Sequence, residues 1–422
     1  MFDEVSHRET PLSMESYTTS LARIMQEAAP QNTVSISLKN AVGHILAEDL
    51  TAPISVPSFD NSAMDGFAFR AACVENASSG RPVVLTVVGA SIAGDTAGVS
   101  HLQPGFAAKI MTGAPLPEGA DTILPVERAS WDHEKLTFYE AYPLGKHVRL
   151  VGQDVEEDTV VLKAGTQLIG QYIPLLCALG LGHILVYQQP RISWITTGQE
   201  ISDGFNQPLA PGHIYNATGL YGKSFLNNMN LSLDSSVTVR DTPQDFAGAL
   251  EAALSGSATV IISTGGVSAG QYDFVRPVLE DFGAEILVHK ARIKPGKPIL
   301  FAKLPGDKFF FGLPGNPIST ALGLRAFVYP FIRSLLGLLP EETRTARLSG
   351  SISTSLDRTE FLMANVKEDE QGTLKIVPQK MQQSFQTLPF SKSNAWLISP
   401  AGNTENTEGD IVNWIPMQPM HF

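Results

Sequence analysis

Four short polar side chains, Asp60, Asn61, Ser62 and Asp65, fall within Phe59-Asp-Asn-Ser-Ala-Met-Asp-Gly-Phe-Ala-Phe-Arg70. Residues of these types are poor strand formers and close loops by hydrogen-bonding their own backbone. The same oxygens can serve Mg²⁺, which takes one or two carboxylates together with phosphate and water. Both readings stand on the residues alone. A second segment, Ser263-Thr-Gly-Gly-Val-Ser-Ala-Gly270 followed by Gln271, Tyr272 and Asp273, leaves a buried strand and enters a helix. Its glycines let the backbone approach a ligand, and the helix N-terminus offers N–H groups to an anion. It lacks the Gly-Lys-Ser/Thr of a P-loop and the spacing of a dinucleotide fingerprint. The plain alternative is a tight strand-to-helix turn.

Two further loops share this character. Arg292-Ile-Lys-Pro-Gly-Lys297 holds Lys294 and Lys297 around a Pro-Gly turn, which suits a phosphate or oxyanion; the alternative is a solvated basic loop. Gly312-Leu-Pro-Gly-Asn-Pro317 leads into a long helix with Asn316 near its N-cap. Three glycine-bearing loops in one α/β unit converge on an anion site. Met111-Thr-Gly-Ala-Pro-Leu-Pro-Glu-Gly119 is another stiff, turn-rich loop that residue chemistry reads as structural. Glu200 and Asp241 lie near strand ends, where an acid is most often an exposed loop residue. The nine histidines form no metal pair and no nucleophile–base arrangement, so a Ser/His/Asp hydrolase is not supported.

These loops need a frame. Met14 to Ala29 reads as a helix with one apolar stripe, capped by Ser13 and stopped by Pro30. Val34 to Leu38 reads as a strand and Ala41 to Asp49 as helical. From about Pro53 to Pro143, Pro and Gly punctuate short β-type runs such as Val83 to Val88, which predicts a mostly β insertion. Gln171 to Leu181 is a helix candidate. From about 190 to 337, strands and helices alternate: Ile192 to Thr197, Thr218 to Asn230, Val237 to Arg240, a helix opened by Thr242-Pro-Gln-Asp245, Ala258 to Ser263, Tyr272 to Phe282, and Ile318 to Leu336. That order predicts a parallel sheet with helices on both faces, whose ligands sit beyond the carboxyl ends of the strands. Leu339 to Arg344 reads as a linker, and the remaining short strands as a small β domain.

Composition narrows the partners. The chain has 422 residues, with 30 Lys+Arg against 42 Asp+Glu and a net charge of −12. A protein that coats nucleic acid or an anionic membrane needs a basic surface instead. Cys73 and Cys177 are the two cysteines, too few and too far apart for a disulfide framework or a zinc site. The most apolar stretch, Ile173 to Tyr187, falls short of a membrane span, and no secretory signal is visible; a cytoplasmic location is expected.

Taken together, the motifs resemble one family. FDNSAMDGFAFR (Phe59–Arg70), IMTGAPLPEGADTILPVE (Ile110–Glu127), TGQE (Thr197–Glu200), STGGVSAGQYD (Ser263–Asp273), IKPGKP (Ile293–Pro298) and GLPGNP (Gly312–Pro317) are similar to the molybdopterin molybdenumtransferases, the bacterial molybdenum-insertion enzymes related to the gephyrin E domain. The resemblance runs over nearly the whole chain in the expected order. It implies an α/β plus β multidomain protein: a helix-rich N-terminal and dimerisation domain (1–52 and 144–188), an irregular β insertion (53–143), a doubly wound α/β molybdopterin-binding domain (189–338) and a C-terminal β-barrel-like domain (339–422). It also implies a homodimer with an active site between the α/β domain of one subunit and the β insertion of the other, and molybdopterin adenylyltransferase and other cofactor-synthesis proteins as partners.

The implied reaction takes adenylyl-molybdopterin and molybdate as substrates, cleaves the adenylate with Mg²⁺, and yields molybdenum cofactor and AMP. Carried over by position, Asp60 and Thr112 match site residues on the β insertion, and Glu200, Asp241, Asp273, Lys294 and Lys297 match those on the α/β domain. Asp60, Glu200 and Asp273 would hold Mg²⁺, and the lysines would attract molybdate and phosphate. Ser263, Thr264, Gly265, Gly266, Ser268 and Gly270, with Pro314, Gly315 and Asn316, would cradle the pterin phosphate. The chain departs from the family pattern at four points: Gln199 and Thr242 replace acids, Met363 stands where an arginine is usual, and Gln383 replaces a glycine. These departures keep a second reading open, a divergent homologue that binds molybdopterin or a partner without turnover. An adenylyltransferase or nicotinamide-nucleotide deamidase would share the α/β domain type but lack the Phe59–Arg70 and Ile110–Glu127 segments.

Overall fold

A computed structural model describes residues 14–94, 98–267, 274–403 and 405–419. The chain forms two compact units. One runs through the N-terminal helix to Ala47, takes in Gly165–Leu168, and resumes at Leu185; the other comprises Glu48–Ala164 and Ile169–Ile184.

In the first unit, a six-stranded sheet has the order Leu233–Val239, Ile192–Thr197, Val260–Thr264, Lys308–Leu313, Leu300–Leu304, Glu285–His289. Its first four strands are parallel, as the alternation predicts. The next two pairings are antiparallel, so Leu300–Leu304 runs against the other five strands, which corrects the parallel-sheet expectation. The reason is local: Leu304 and Lys308 are joined by a short turn in which Gly306 (φ 78°) and Asp307 (φ 54°) are left-handed, so the chain doubles back as a hairpin with no room for a crossover helix. Alternate residues face opposite sides. Trp194, Ile262 and Phe311 pack on the face covered by Ala217–Asn227 and Pro317–Gly323, while Ile195, Ile261 and Phe310 face Pro243–Ser255 and Val275–Asp281. The sheet is therefore wound on both faces.

The helices show why sequence signals succeed or fail. Thr242 caps its helix as expected, accepting from Asp245 N at 3.2 Å, with Pro243 in the first turn. The N-terminal helix is Tyr17–Gln26, later than predicted. Ser16 is its cap, because Glu15–Ser16 is drawn into a parallel pairing with Ala291–Arg292; Ser13 lies outside the described residues. Ala41 to Asp49 is not helical. Gly43 (φ 89°) turns the chain, its N–H bonds Leu168 O at 2.8 Å, and Ile45 bridges to Gln167. Tertiary pairing overrides the helical spacing there. The long helix after Asn316 is interrupted by a π-helical turn at Leu324–Val328. Pro330 has no N–H to give to Ala326 O, and the Tyr17 hydroxyl donates to that carbonyl at 3.5 Å instead.

The C-terminal strands close on themselves. Thr359–Glu368, Leu374–Pro378, Arg344–Leu348, Ile411–Pro416 and Ala395–Ser399 pair in that order, and the last pairs back with the first. Leu362 and Ala364 point into this barrel-like core, whereas Phe361 and Met363 point outward into the large core of the first unit.

The second unit holds a six-stranded sheet of order Thr122–Pro125, Gly66–Phe69, Phe106–Ile110, Val83–Ser91, Lys135–Phe138, Ser130–Asp132. It has no α-helix between 53 and 143 among the described residues, as the Pro and Gly punctuation predicts. Its one α-helix among the described residues, Ile173–Ala178, is shorter than the predicted Gln171 to Leu181.

Candidate active site

Residues of the first unit gather where its parallel strands end. Glu200 and Asp241 follow the adjacent strands Ile192–Thr197 and Leu233–Val239. Val260–Thr264 runs into Gly265 and Gly266, both left-handed (φ 91° and 66°). A Cβ on Gly265 would strike the Thr197 hydroxyl and lie 2.7 Å from Thr197 O, so only glycine fits. The Gly312–Pro317 loop lies against it: a Cβ on Gly315 would sit 3.6 Å from Gly265 Cα. The lysine turn packs on the start of the following helix, since a Cβ on Gly296 would lie 3.4 Å from Ser319 O. Three of the predicted loops therefore adjoin one another.

The turn's N–H donors are sorted by the sheet. Ser263 and Thr264 belong to the strand, their side chains are buried, and their peptides pair with both neighbouring strands. Gly265 N donates to Leu313 O at 3.1 Å. No described residue accepts from the N–H of Gly266 or Gly315. Asn316 stands at the N-cap, but its side chain donates to Ser384 Oγ at 3.3 Å rather than capping the helix. Ser268, Gly270 and Asp273 lie outside the described residues.

The loop from Thr197 to Asn216 is anchored by a residue that sequence reading passed over. Asn216 Nδ2 donates to Asp203 Oδ1 at 2.9 Å and Thr238 Oγ1 at 3.1 Å, while its Oδ1 caps the next helix through Gly219 N at 2.9 Å. Glu200 is thereby carried on a tethered loop: its carbonyl also accepts from Ile214 N at 2.9 Å. The carboxylates of Glu200 and Asp241 meet no hydrogen-bond donor or cation among the described residues. Such uncommitted, half-buried oxygens suit a hard cation that keeps phosphate and water as its other ligands. Among the described residues no cluster of three ligating side chains is preassembled.

Lys294 is exposed and bonds to the first strand of the C-terminal barrel. The strand Ala291–Lys294 runs parallel to Thr359–Glu368 with Lys294 opposite Glu360, and Lys294 Nζ donates to Glu360 Oε2 at 3.2 Å. Lys297 is exposed. Met363 is buried, its backbone clasped by Gln382: N to Oε1 at 2.8 Å and O from Nε2 at 2.9 Å.

In the second unit the polar groups of the Phe59–Arg70 segment are spent on its own backbone and on two neighbouring loops. Asp60 Oδ1 accepts from Val151 N at 2.7 Å, Asn61 Nδ2 donates to Phe59 O at 3.1 Å, and Ser62 Oγ donates to Met64 O. Asp65 Oδ1 accepts from both Thr112 N (2.7 Å) and Thr112 Oγ1 (2.8 Å). The Thr112 backbone bond and hydroxyl hold the Asp65 carboxyl below its ordinary value. Loop building thus accounts for Asn61, Ser62 and Asp65, while Asp60 keeps one oxygen uncommitted among the described residues. Thr112, exposed, is presented by Asp65, a pairing across 47 positions that no local signal announces.

Comparison with known proteins adds three matched regions. Residues 15–180 match the MoeA N-terminal region (domain I and II), 193–334 a probable molybdopterin binding domain, and 345–417 the MoeA C-terminal region (domain IV). A molybdopterin molybdenumtransferase of Haemophilus influenzae is 33% identical over 92% of this chain and 94% of its own length. One of Synechococcus elongatus is 32% identical over 92% of this chain and 96% of its own. The crystal structure of a molybdopterin biosynthesis MoeA protein of Pyrococcus horikoshii superposes with a TM-score of 0.82 at 27% identity, covering 97% of this chain and all of that one.

Proposed function

Because this chain belongs to the molybdopterin molybdenumtransferase family, we propose that it moves molybdenum from molybdate onto adenylylated molybdopterin, cleaving the adenylate to give molybdenum cofactor and AMP. It is an enzyme of molybdenum-cofactor synthesis with the multidomain fold of that family. The observation that best supports the detailed reading is the convergence of Glu200, Asp241, the Gly265–Gly266 turn and Pro314–Asn316 at the carboxyl ends of parallel strands. Ligands of open α/β sheets bind at such ends.

In this reading the N–H groups of Gly266 and Gly315 donate to phosphate oxygens of the pterin. Lys294 and Lys297 draw molybdate and phosphate by charge. Glu200, with Asp60 and Asp273, would hold Mg²⁺, whose chemistry is to neutralise charge building on the phosphate that leaves. Thr112 is kept in place by Asp65. Asp241 completes the acidic side of the site. The homodimer, the adenylyltransferase partner and a cytoplasmic location belong to the same proposal; no described helix is long and apolar enough to cross a membrane.

The test is direct. Purified protein given adenylyl-molybdopterin, Mg²⁺ and molybdate should release AMP and form molybdenum cofactor. Tight binding of molybdopterin with no AMP would leave a binding protein in place of an enzyme.

A further inference from the structure

The second unit holds a cavity of about 440 Å³, within the range of small-ligand pockets. Arg128, Glu140, Tyr142, Pro143, Lys146 and His147 line it, and none of them belongs to the motifs that carry the resemblance. Its floor is fixed by the core. The Tyr142 ring packs on Phe69 with 6.0 Å between ring centroids, and only 7% of the residue is exposed. The Tyr142 hydroxyl has no hydrogen-bond partner among the described residues, yet it is not sealed off from solvent. Burial holds the phenol above its ordinary pKa, so it remains a donor at neutral pH. The walls carry charge. The Arg128 guanidinium carbon lies 5.6 Å from the Tyr142 ring centroid, and Arg128 Nη2 lies 3.6 Å from Glu140 Oε1. That ion pair is long, and its side chains are 59% and 77% exposed, so Glu140 is a weak competitor for the arginine. Ile123 N donates to Lys146 O at 3.0 Å and Ala63 N to His147 O at 2.9 Å. These bonds fix the backbone behind two side chains that pair with no described residue.

We propose that this cavity binds a small organic phosphate, a phosphomonoester whose oxygens meet Arg128, Lys146 and the Tyr142 hydroxyl. The site is separate from the one proposed for molybdenum insertion and does not depend on it. In a chain of net charge −12, Arg128 and Lys146 against Glu140 leave one positive charge in excess here, with histidine counted neutral. A guanidinium grips phosphate oxygens with paired N–H groups, an ammonium adds charge, and the phenol adds one directed donor. The space argues for an ester over the bare ion. A second cavity of about 220 Å³ shares Arg128, Glu140 and Tyr142 with the first, and Phe138 and Tyr139 line it. An aromatic or apolar body has room there beside the rings, while its phosphate faces the cations.

Isothermal titration calorimetry of the full chain with phenyl phosphate tests this. The parent should bind saturably, and Tyr142→Phe and Arg128→Gln should each weaken binding about tenfold, the effect of losing one hydrogen bond to a charged group. Tyr142→Phe keeps the ring packed on Phe69, so its melting temperature should match the parent's. The lysine turn is a second place where phosphate could bind, and Lys297→Ala separates the two: that variant should retain a site for phenyl phosphate that Arg128→Gln weakens. No binding by the parent, or affinities within about twofold across the parent, Tyr142→Phe and Arg128→Gln, would overturn the site. So would binding that Lys297→Ala abolishes. Inorganic phosphate binding as tightly as phenyl phosphate would overturn the ester, and benzoate binding as tightly would overturn the choice of phosphate.

Discussion

The two units handle polar side chains in opposite ways. In the Phe59–Arg70 segment, Asn61, Ser62 and Asp65 bond to backbone or to Thr112, so these side chains hold the loop, while Asp60 spends one oxygen on Val151 N and keeps the other uncommitted among the described residues. At the strand ends of the other unit, Glu200 and Asp241 carry carboxylates that no described residue satisfies, and the glycine turns offer N–H groups that no described residue accepts. The difference separates residues that shape a site from residues that await a ligand. Substitution of the first kind should cost order, and of the second kind, chemistry.

The largest expected effects fall on the uncommitted groups. Glu200→Gln and Lys297→Ala should each slow AMP release on the order of 10²-fold or more while leaving stability within about 0.5 kcal/mol. A melting temperature that fell in step with the rate would erase the distinction. Gly265→Ala should lose both at once. Its left-handed φ and the Thr197 contact predict a stability loss of about 2–4 kcal/mol, read from the denaturation midpoint. Asn216→Ala removes a helix cap and the tether to Asp203, for about 1–3 kcal/mol; circular dichroism melts would show it, with activity lost only through the loosened Glu200 loop.

Asp65 gives the smallest effect at neutral pH and the clearest sign. Its folded-state carboxyl titrates below the ordinary value, so the Thr112 anchor is fully present above the usual aspartate pKa of about 3.9 and is lost as pH falls through the lowered value. Asp65→Asn should abolish that acid-side dependence. At neutral pH it should lower AMP release by less than Glu200→Gln does, because Thr112 is displaced but not removed. A larger loss than Glu200→Gln would mean that Asp65 acts on substrate itself.

How much was legible follows the same division. Thr242 as a cap, the buried strand read over Ala258 to Ser263 and found at Val260–Thr264, and the glycine turn that follows it carry their signals within a few residues. The helix predicted over Ala41 to Asp49 failed because Gly43 and Ile45 answer to Leu168 and Gln167, far along the chain. The hairpin at Gly306–Asp307 was hidden by an alternation of strands and helices that continues on either side of it. Long-range partners were least visible. Asp65 meets Thr112, and Glu360 meets Lys294 across 66 positions, so neither acid declares its role in its own neighbourhood.

The most direct measurement is AMP release by the purified protein with adenylyl-molybdopterin and Mg²⁺, with and without molybdate, followed beside Lys297→Ala. The account predicts AMP and molybdenum cofactor forming together in the parent when molybdate is present, and neither at a comparable rate in the variant. Molybdopterin bound without AMP release, or equal rates in both proteins, would contradict it.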